Sequence, residues 1–421
     1  VSSDLKNRLL ETQDEDADIA MLRAAIGKQS VTGDERNFVN FLSEAMADMD
    51  LAPSTGEFLP ERPNVWSTGS GNTNGPNIMF VGHTDTVHVR GWAENWKGTE
   101  REDPFAAPMI DGEIWGRGAC DLKAGICAAL GAKRLLDDAG IELEGNVSFA
   151  FIGDEESGEE GTGVSAGAKD LVARIKSGEI AKPDFVVYVE PTKLDVYTAQ
   201  IGFFIADIKI TGKSAYFGTP HEGVDALKAT HKILSAIWKH GEELTQGDSH
   251  AFLGTSDILV TGINGGGYIA VPGECNISLI RKLRPGEHLD EAVAAFEAAV
   301  HSVEAEEGIA VSISYPAGRD HTHGGSPVEI SPDHPAALNL ADCIQEICGE
   351  RGVIGGAPYW SETPFFVNEI GCPAIYCAPG DISVAHTFEE RVNVDEYLAA
   401  IRAFALFIAR YCGTKSKGGN E

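Results

Sequence analysis

The stretch "NIMFVGHTDTVHVRGW", residues 77–92, decides the fold. Ile78, Met79, Phe80 and Val81 make a short apolar run with no room for a helix, as in a strand buried on both faces. The run then breaks into Gly82, His83, Thr84, Asp85 and Thr86, so a buried strand delivers a histidine and a carboxylate two residues apart. Around it the pattern alternates. "DEDADIAMLRAAIG", "ERNFVNFLSEAMADM" and "CDLKAGICAALGAKRLLDDAG" carry apolar residues at helical spacing, the last with a stop at Gly140. "GNVSFAFIG" and "PDFVVYV" are further short apolar strands. Alternation of this kind predicts an α/β fold, a mainly parallel sheet covered by helices.

Residues 198–310 follow another pattern. "GFFIADIKITGKSA" alternates like a strand with one face in water, "HEGVDALKATHKILSAIWKH" is helical, and "SDILVTGING" and "CNISLIRKL" precede a second helix, "LDEAVAAFEAAVHSVEAEEG". Strand, helix, strand, strand, helix predicts a small α+β sandwich inserted as a unit. The α/β pattern resumes with "HPAALNLADCIQEICGERG", the buried strand "CPAIYCAPG" and a closing helix from Val394, before the polar tail "GTKSKGGNE". The expected division is 1–197 and 311–421 for a main domain, with 198–310 inserted.

Composition limits the function classes. Among 421 residues, 64 are acidic and 33 basic, a net charge of −31 that repels nucleic acid and anionic membrane alike. No run approaches the roughly 20 apolar residues of a membrane span, and the acidic start does not read as a signal peptide. A cytoplasmic protein is expected. Eight cysteines without a CxxC pair are too sparse for a disulfide framework and are expected as buried thiols.

Ligands of parallel sheets gather at the carboxyl ends of strands. Those ends read His83-Thr84-Asp85, Asp154-Glu155-Glu156, Glu190-Pro191-Thr192 and "APGDISVAH" up to His386, while Asp121 opens the helix after "GRGAC". Two imidazoles and three carboxylates suit one or two divalent ions, with zinc, cobalt and manganese as candidates. Asp85 is placed to hold the second nitrogen of His83. The pair Glu155-Glu156 can divide metal binding from proton transfer.

The ordered motifs "GHTDTV", "GRGACDLKAG", "DEESG", "VEPT" and "AHTFEE" resemble those of the dinuclear metallohydrolases that include aminoacylase, acetylornithine deacetylase, succinyl-diaminopimelate desuccinylase and carboxypeptidase G. The resemblance spans nearly the whole chain. It implies that His83 and Glu190 hold one metal, Glu156 and His386 the other, and that Asp121 bridges them. It implies further that Glu155 is the general base, that Asp85 supports His83, and that the inserted domain is a lid carrying a homodimer contact. The implied substrate is a small molecule with a carboxylate, for which Arg281 and Arg284, beside Lys282 in "ISLIRKLRPGEH", are the candidate readers.

Two positions depart from the family's pattern. "GKSAYFGTPHEG" has Tyr216 where the family places a His that holds developing charge, and "GGGYIAVPGE" has Ile269 where it commonly has Asn. Tyr donates a hydrogen bond without a positive charge. Either a nearby residue such as His221 substitutes, or the substrate is unusual. The first reading is hydrolysis of an acyl-amino acid or peptide C–N bond. The alternative is an atypical aminohydrolase that replaces the amino group of an aromatic acid such as a nitroanthranilate with hydroxyl. A non-catalytic binding protein of the same fold is the third possibility. "GRDHTHGG", with Arg319, His321 and His323, is a polar knot expected to be a surface loop.

Overall fold

The computed structural model describes residues 2–69, 75–156, 162–303 and 307–415, so Ser157 and Gly158 of the acidic motif and the last six residues of the tail lie outside the described residues. Two compact units are present, one of Val1–Thr198, Ile330–Gly355 and Phe365–Glu421, the other of Ala199–Glu329 and Gly356–Pro364.

In the first unit, Asn146–Ile152, Asn77–His83, Phe185–Tyr188 and Ala374–Tyr376 lie side by side in that order, every neighbour parallel. The hairpin Ser54–Leu59 and Arg62–Ser67 extends the sheet antiparallel beyond Asn146–Ile152. Both central strands are buried along nearly their whole length, as their largely apolar runs require. The helices Ala124–Asp138 and Val394–Cys412 pack on each other, and Phe404 of the latter meets Phe80 with ring centroids 5.3 Å apart. Asn393 starts the closing helix by accepting the Glu396 amide at 2.9 Å, a typical cap. All eight cysteines are unpaired and only Cys348 is not fully buried.

Register determines where the chemistry falls. His83 pairs with Ile152, and Val81 with Tyr188. His83 and Glu190 therefore each lie two residues past one paired level, and Asp154 to Glu156 follow directly after Ile152 and Gly153. Close approach keeps these ends together. A Cβ on Gly125, in the helix Ala124–Asp138, would sit 2.3 Å from the Val189 carbonyl oxygen and 2.8 Å from its Cβ. Gly125→Ala is expected to destabilise the protein by about 1–3 kcal/mol, read as a lower urea midpoint; an unchanged midpoint would contradict this packing.

The second unit is an antiparallel sheet in the order Asp257–Gly265, Glu274–Leu283, Gly202–Thr211, Ala310–Ser314. Alternating burial along Gly202–Thr211 and Glu274–Leu283 turns Phe204, Ile208, Ile277 and Leu279 toward Ile233 and Ile237 of the helix Ala226–Thr245 and Phe296 of Leu289–His301. The unit runs past the boundary expected at residue 310. Gly324–Gly325 pairs with Phe203 and Phe204, and Trp360 meets Phe203 edge-on at 5.8 Å, so residues remote in sequence join it by long-range contact. Among the described residues, no helix is long and apolar enough to cross a membrane.

Candidate metal centre

His83 ends a strand and is 1% exposed. Its Nδ1 lies 2.9 Å from the main-chain oxygen of Asp85. A carbonyl only accepts, so Nδ1 carries a hydrogen, which leaves Nε2 as the nitrogen that offers its lone pair when a cation takes the place of a proton there, the arrangement of a ligating histidine. That Nε2 faces Asp121 Oδ1 at 3.0 Å and Glu190 Oε1 at 3.6 Å. Asp121 comes from the irregular turn Ala119–Lys123, which leads into the helix Ala124–Asp138. Its other oxygen, Oδ2, faces His386 Nε2 at 3.1 Å, and that nitrogen also meets Glu156 Oε1 at 2.9 Å. His386 lies on the loop after Ala374–Tyr376, with a positive φ of 60°.

The donors of His83, Asp121 and Glu190 lie within 4.8 Å of one another, and so do those of Asp121, Glu156 and His386. Glu155 joins His83 and Glu156 in a third such group. Two sets of one imidazole and one carboxylate, sharing Asp121, match the nitrogen and oxygen donors that divalent zinc, cobalt or manganese accept. The protonation balance fits a cation. Burial would raise the Asp121 carboxyl, yet its bonds from His386 and His83 hold it well below the carboxylate range. His386 is pushed up to about 11 by its bonds to Asp121 and Glu156. His83 also rises, because the Asp121 bond and the Glu190 charge outweigh burial. Burial, with Asp121 nearby, pushes Glu156 up to about 7. The pocket draws positive charge onto its imidazoles.

Asp85 holds the second nitrogen of His83, but through its main chain. Its carbonyl, not its carboxylate, orients His83; the carboxylate oxygen Oδ1 is 3.8 Å from Nδ1. The carboxylate instead accepts the Glu156 amide at 2.9 Å, the Glu155 amide at 3.3 Å and the Thr32 hydroxyl at 3.0 Å, fixing the acidic turn. Asp154 faces away from the centre. It is fully buried and takes the Arg62 guanidinium at 2.8 Å and the amides of Gly163, Val164 and Ala166.

Arg281 is not open to a substrate, and Arg284 is drawn into a surface ion pair. Arg281 is 2% exposed and its Nη2 bonds Glu287 at 2.6 Å, while Arg284 reaches Asp248 at 3.0 Å. The turn after the strand supplies Glu287, and the segment after the helix Ala226–Thr245 supplies Asp248, acids that the basic run alone conceals. Burial raises the Glu287 carboxyl, but the Arg281 and Ser256 bonds and the Arg284 amide outweigh it and leave it lowered. Its stabilisation is therefore present above the ordinary carboxyl pKa and fades as pH falls through the lowered one. Arg281→Ala is expected to destabilise by about 3–5 kcal/mol with KM unchanged; a raised KM at an unchanged unfolding midpoint would return Arg281 to substrate binding.

In the second unit Tyr216 is 59% and Ile269 60% exposed, and His221 is exposed. A bridge between Tyr216 and Ala270 brings the two departing loops together, with Tyr216 against Phe217 at 4.6 Å. Asp290, His321 and His323 also place donors within 4.8 Å of one another. Here the tautomer is opposite: His321 Nδ1 accepts the His323 amide at 3.2 Å, so its Nε2 carries the hydrogen toward Asp290.

Sequence reading missed Glu390 and Arg117, although both lie inside quoted motifs. Glu390 is fully buried and accepts the amides of Cys120 at 3.2 Å and Asp121 at 3.1 Å, while Arg117 donates to its other oxygen.

A model of peptidase family M20/M25/M40 matches residues 79–410. Succinyl-diaminopimelate desuccinylase of Gluconacetobacter diazotrophicus is 27% identical over 414 residues, covering 94% of this chain and 97% of that protein. N-formyl-4-amino-5-aminomethyl-2-methylpyrimidine deformylase of Bacillus subtilis is 23% identical over 428 residues, covering 95% of each. The fold is shared with an M20 family metallo-carboxypeptidase from Sulfolobus solfataricus, with a TM-score of 0.72 at 17% identity over 94% of this chain and 99% of that one. It is shared too with a dinuclear metal-binding peptidase of Bacillus subtilis, with a TM-score of 0.66 at 15% identity over 98% of this chain and all of the other.

Proposed function

The chain belongs to peptidase family M20/M25/M40, and from that premise we propose that it hydrolyses the amide of a small N-acylated, carboxylate-bearing substrate at a centre of two divalent ions. It is a metal-dependent hydrolase of C–N bonds. The observation that carries the two-ion reading is Asp121, whose two oxygens face two different imidazoles. In this reading His83 and Glu190 hold one ion, Glu156 and His386 the other, and Asp121 both. Bound there, zinc, cobalt or manganese would lower the pKa of a water molecule and polarise the scissile carbonyl.

The chain's own residues do the rest. Glu155, beside the ligand Glu156, takes a proton as water adds to the acyl carbon, then delivers it to the nitrogen as the C–N bond breaks. Asp85 holds the amides of both glutamates and, through its carbonyl, the ligating tautomer of His83. Acyl transfer from nitrogen to water is the chemistry named for both curated relatives, a desuccinylase and a deformylase. The exposed Leu259 and Ile263 on the strand Asp257–Gly265 support a homodimer through the second unit.

The paired loops of Tyr216 and Ile269 favour a second reading, in which an aromatic amine is replaced by hydroxyl and ammonia leaves. One experiment separates the two. Protein stripped with a chelator is reloaded with zinc, cobalt or manganese and given N-formyl-, N-acetyl- and N-succinyl-amino acids beside aminobenzoates with and without a nitro group. Chelation is expected to abolish activity with the far-UV circular dichroism retained, and reloading to restore amino-acid release. Ammonia from an aminobenzoate with no acyl cleavage would overturn the first reading in favour of the second.

A further inference from the structure

We infer that Arg117 and Glu390 form a brace that holds Asp121 and His386 in register and so governs uptake of the ion assigned to Asp121, Glu156 and His386. The inference rests on the two-ion reading above. His386 needs outside support, because its side chain is 53% exposed and its loop is not part of a sheet. The support comes from one connected set of contacts. Arg117, 2% exposed, donates to the Glu390 carboxylate and to the main-chain oxygen of Thr387 at 3.3 Å, one residue from His386. The other Glu390 oxygen accepts the amides of Cys120 and Asp121, and its main-chain oxygen accepts the Gly116 amide at 3.1 Å.

Glu390 therefore ties the backbone that carries Asp121 to the loop that carries His386. From the outer side the Trp96 indole donates to the Phe388 oxygen at 2.7 Å, and Trp92 meets the Phe388 ring edge-on at 6.4 Å. Neither Arg117 nor Glu390 belongs to a ligand set, so they are positioning residues. Groups that orient metal ligands from behind typically change metal affinity by about 10- to 100-fold when lost.

The test is metal titration of the apo-protein with zinc, with bound metal counted after dialysis and folding checked by circular dichroism. Glu390→Gln is expected to weaken one of two ions by about 10- to 100-fold and the other much less. Glu390 is buried against a guanidinium, so a second variant decides the matter if this one does not fold. Trp96→Phe keeps an aromatic ring against Trp115 and Arg101 but loses the bond to Phe388, and is expected to weaken the same ion by about 2- to 10-fold. His83→Ala and His386→Ala serve as references, each expected to lose an ion. Both references keeping two ions would end the two-ion reading and the brace with it. References that lose ions beside folded Glu390→Gln and Trp96→Phe proteins that bind as wild type would end the brace alone.

Discussion

Glu155→Gln is expected to lower kcat on an acyl-amino acid by about 10²- to 10⁴-fold, the range that a positioned general base contributes, while the protein keeps its metal. The substitution preserves size and hydrogen bonding but removes the site that accepts a proton. The residue is well placed for that role. Its donor lies within 4.8 Å of those of His83 and Glu156, and its amide is held by the Asp85 carboxylate at 3.3 Å. A residue that merely shaped the turn would tolerate the change, because the turn is fixed by main-chain amides. The decisive comparison is steady-state kinetics beside a bound-metal count. Wild-type kcat at full metal content would remove Glu155 from the chemistry.

Asp121→Asn is expected to have the larger effect. Both carboxylate oxygens are committed, one toward each imidazole, and the residue is only 5% exposed. An amide offers one acceptor oxygen and places an NH2 donor where the second cation set needs an electron pair. At least one ion per chain should be lost, and kcat/KM should fall below that of Glu155→Gln. Bound metal and kinetics are again the readouts. Retention of two ions with ordinary activity would mean that Asp121 bridges nothing.

Much of this centre was legible because strand ends in a parallel sheet converge, so that a list of residues at those ends is already a spatial list. His83, Glu155, Glu156, Glu190 and His386 were read at the ends of expected strands and Asp121 at the start of a helix, while their roles as ligands and base came only from the resemblance of the ordered motifs. That Asp85 holds His83 by its carbonyl was not legible. Two residues apart on a strand, side chains share a face, which suggests a carboxylate on the imidazole; the chain turns after His83 and offers the carbonyl instead. Arg281 misled for a related reason. A basic run at a strand end looks available until the following turn folds Glu287 back against it. Glu390 stayed hidden because two of its partners, the amides of Cys120 and Asp121, leave no mark in side-chain chemistry, and the third, Arg117, lies 273 residues away in sequence. The extent of the second unit depended on pairing between Gly324–Gly325 and the strand Gly202–Thr211, which no local pattern encodes.

In the two-ion reading one carboxylate, Asp121, joins both metal sites. Crystals grown with zinc and measured at the zinc absorption edge test it directly through anomalous scattering. Two peaks flanking Asp121 are expected, one beside His83 and Glu190 and the other beside Glu156 and His386. A single peak, or peaks away from Asp121, would contradict it.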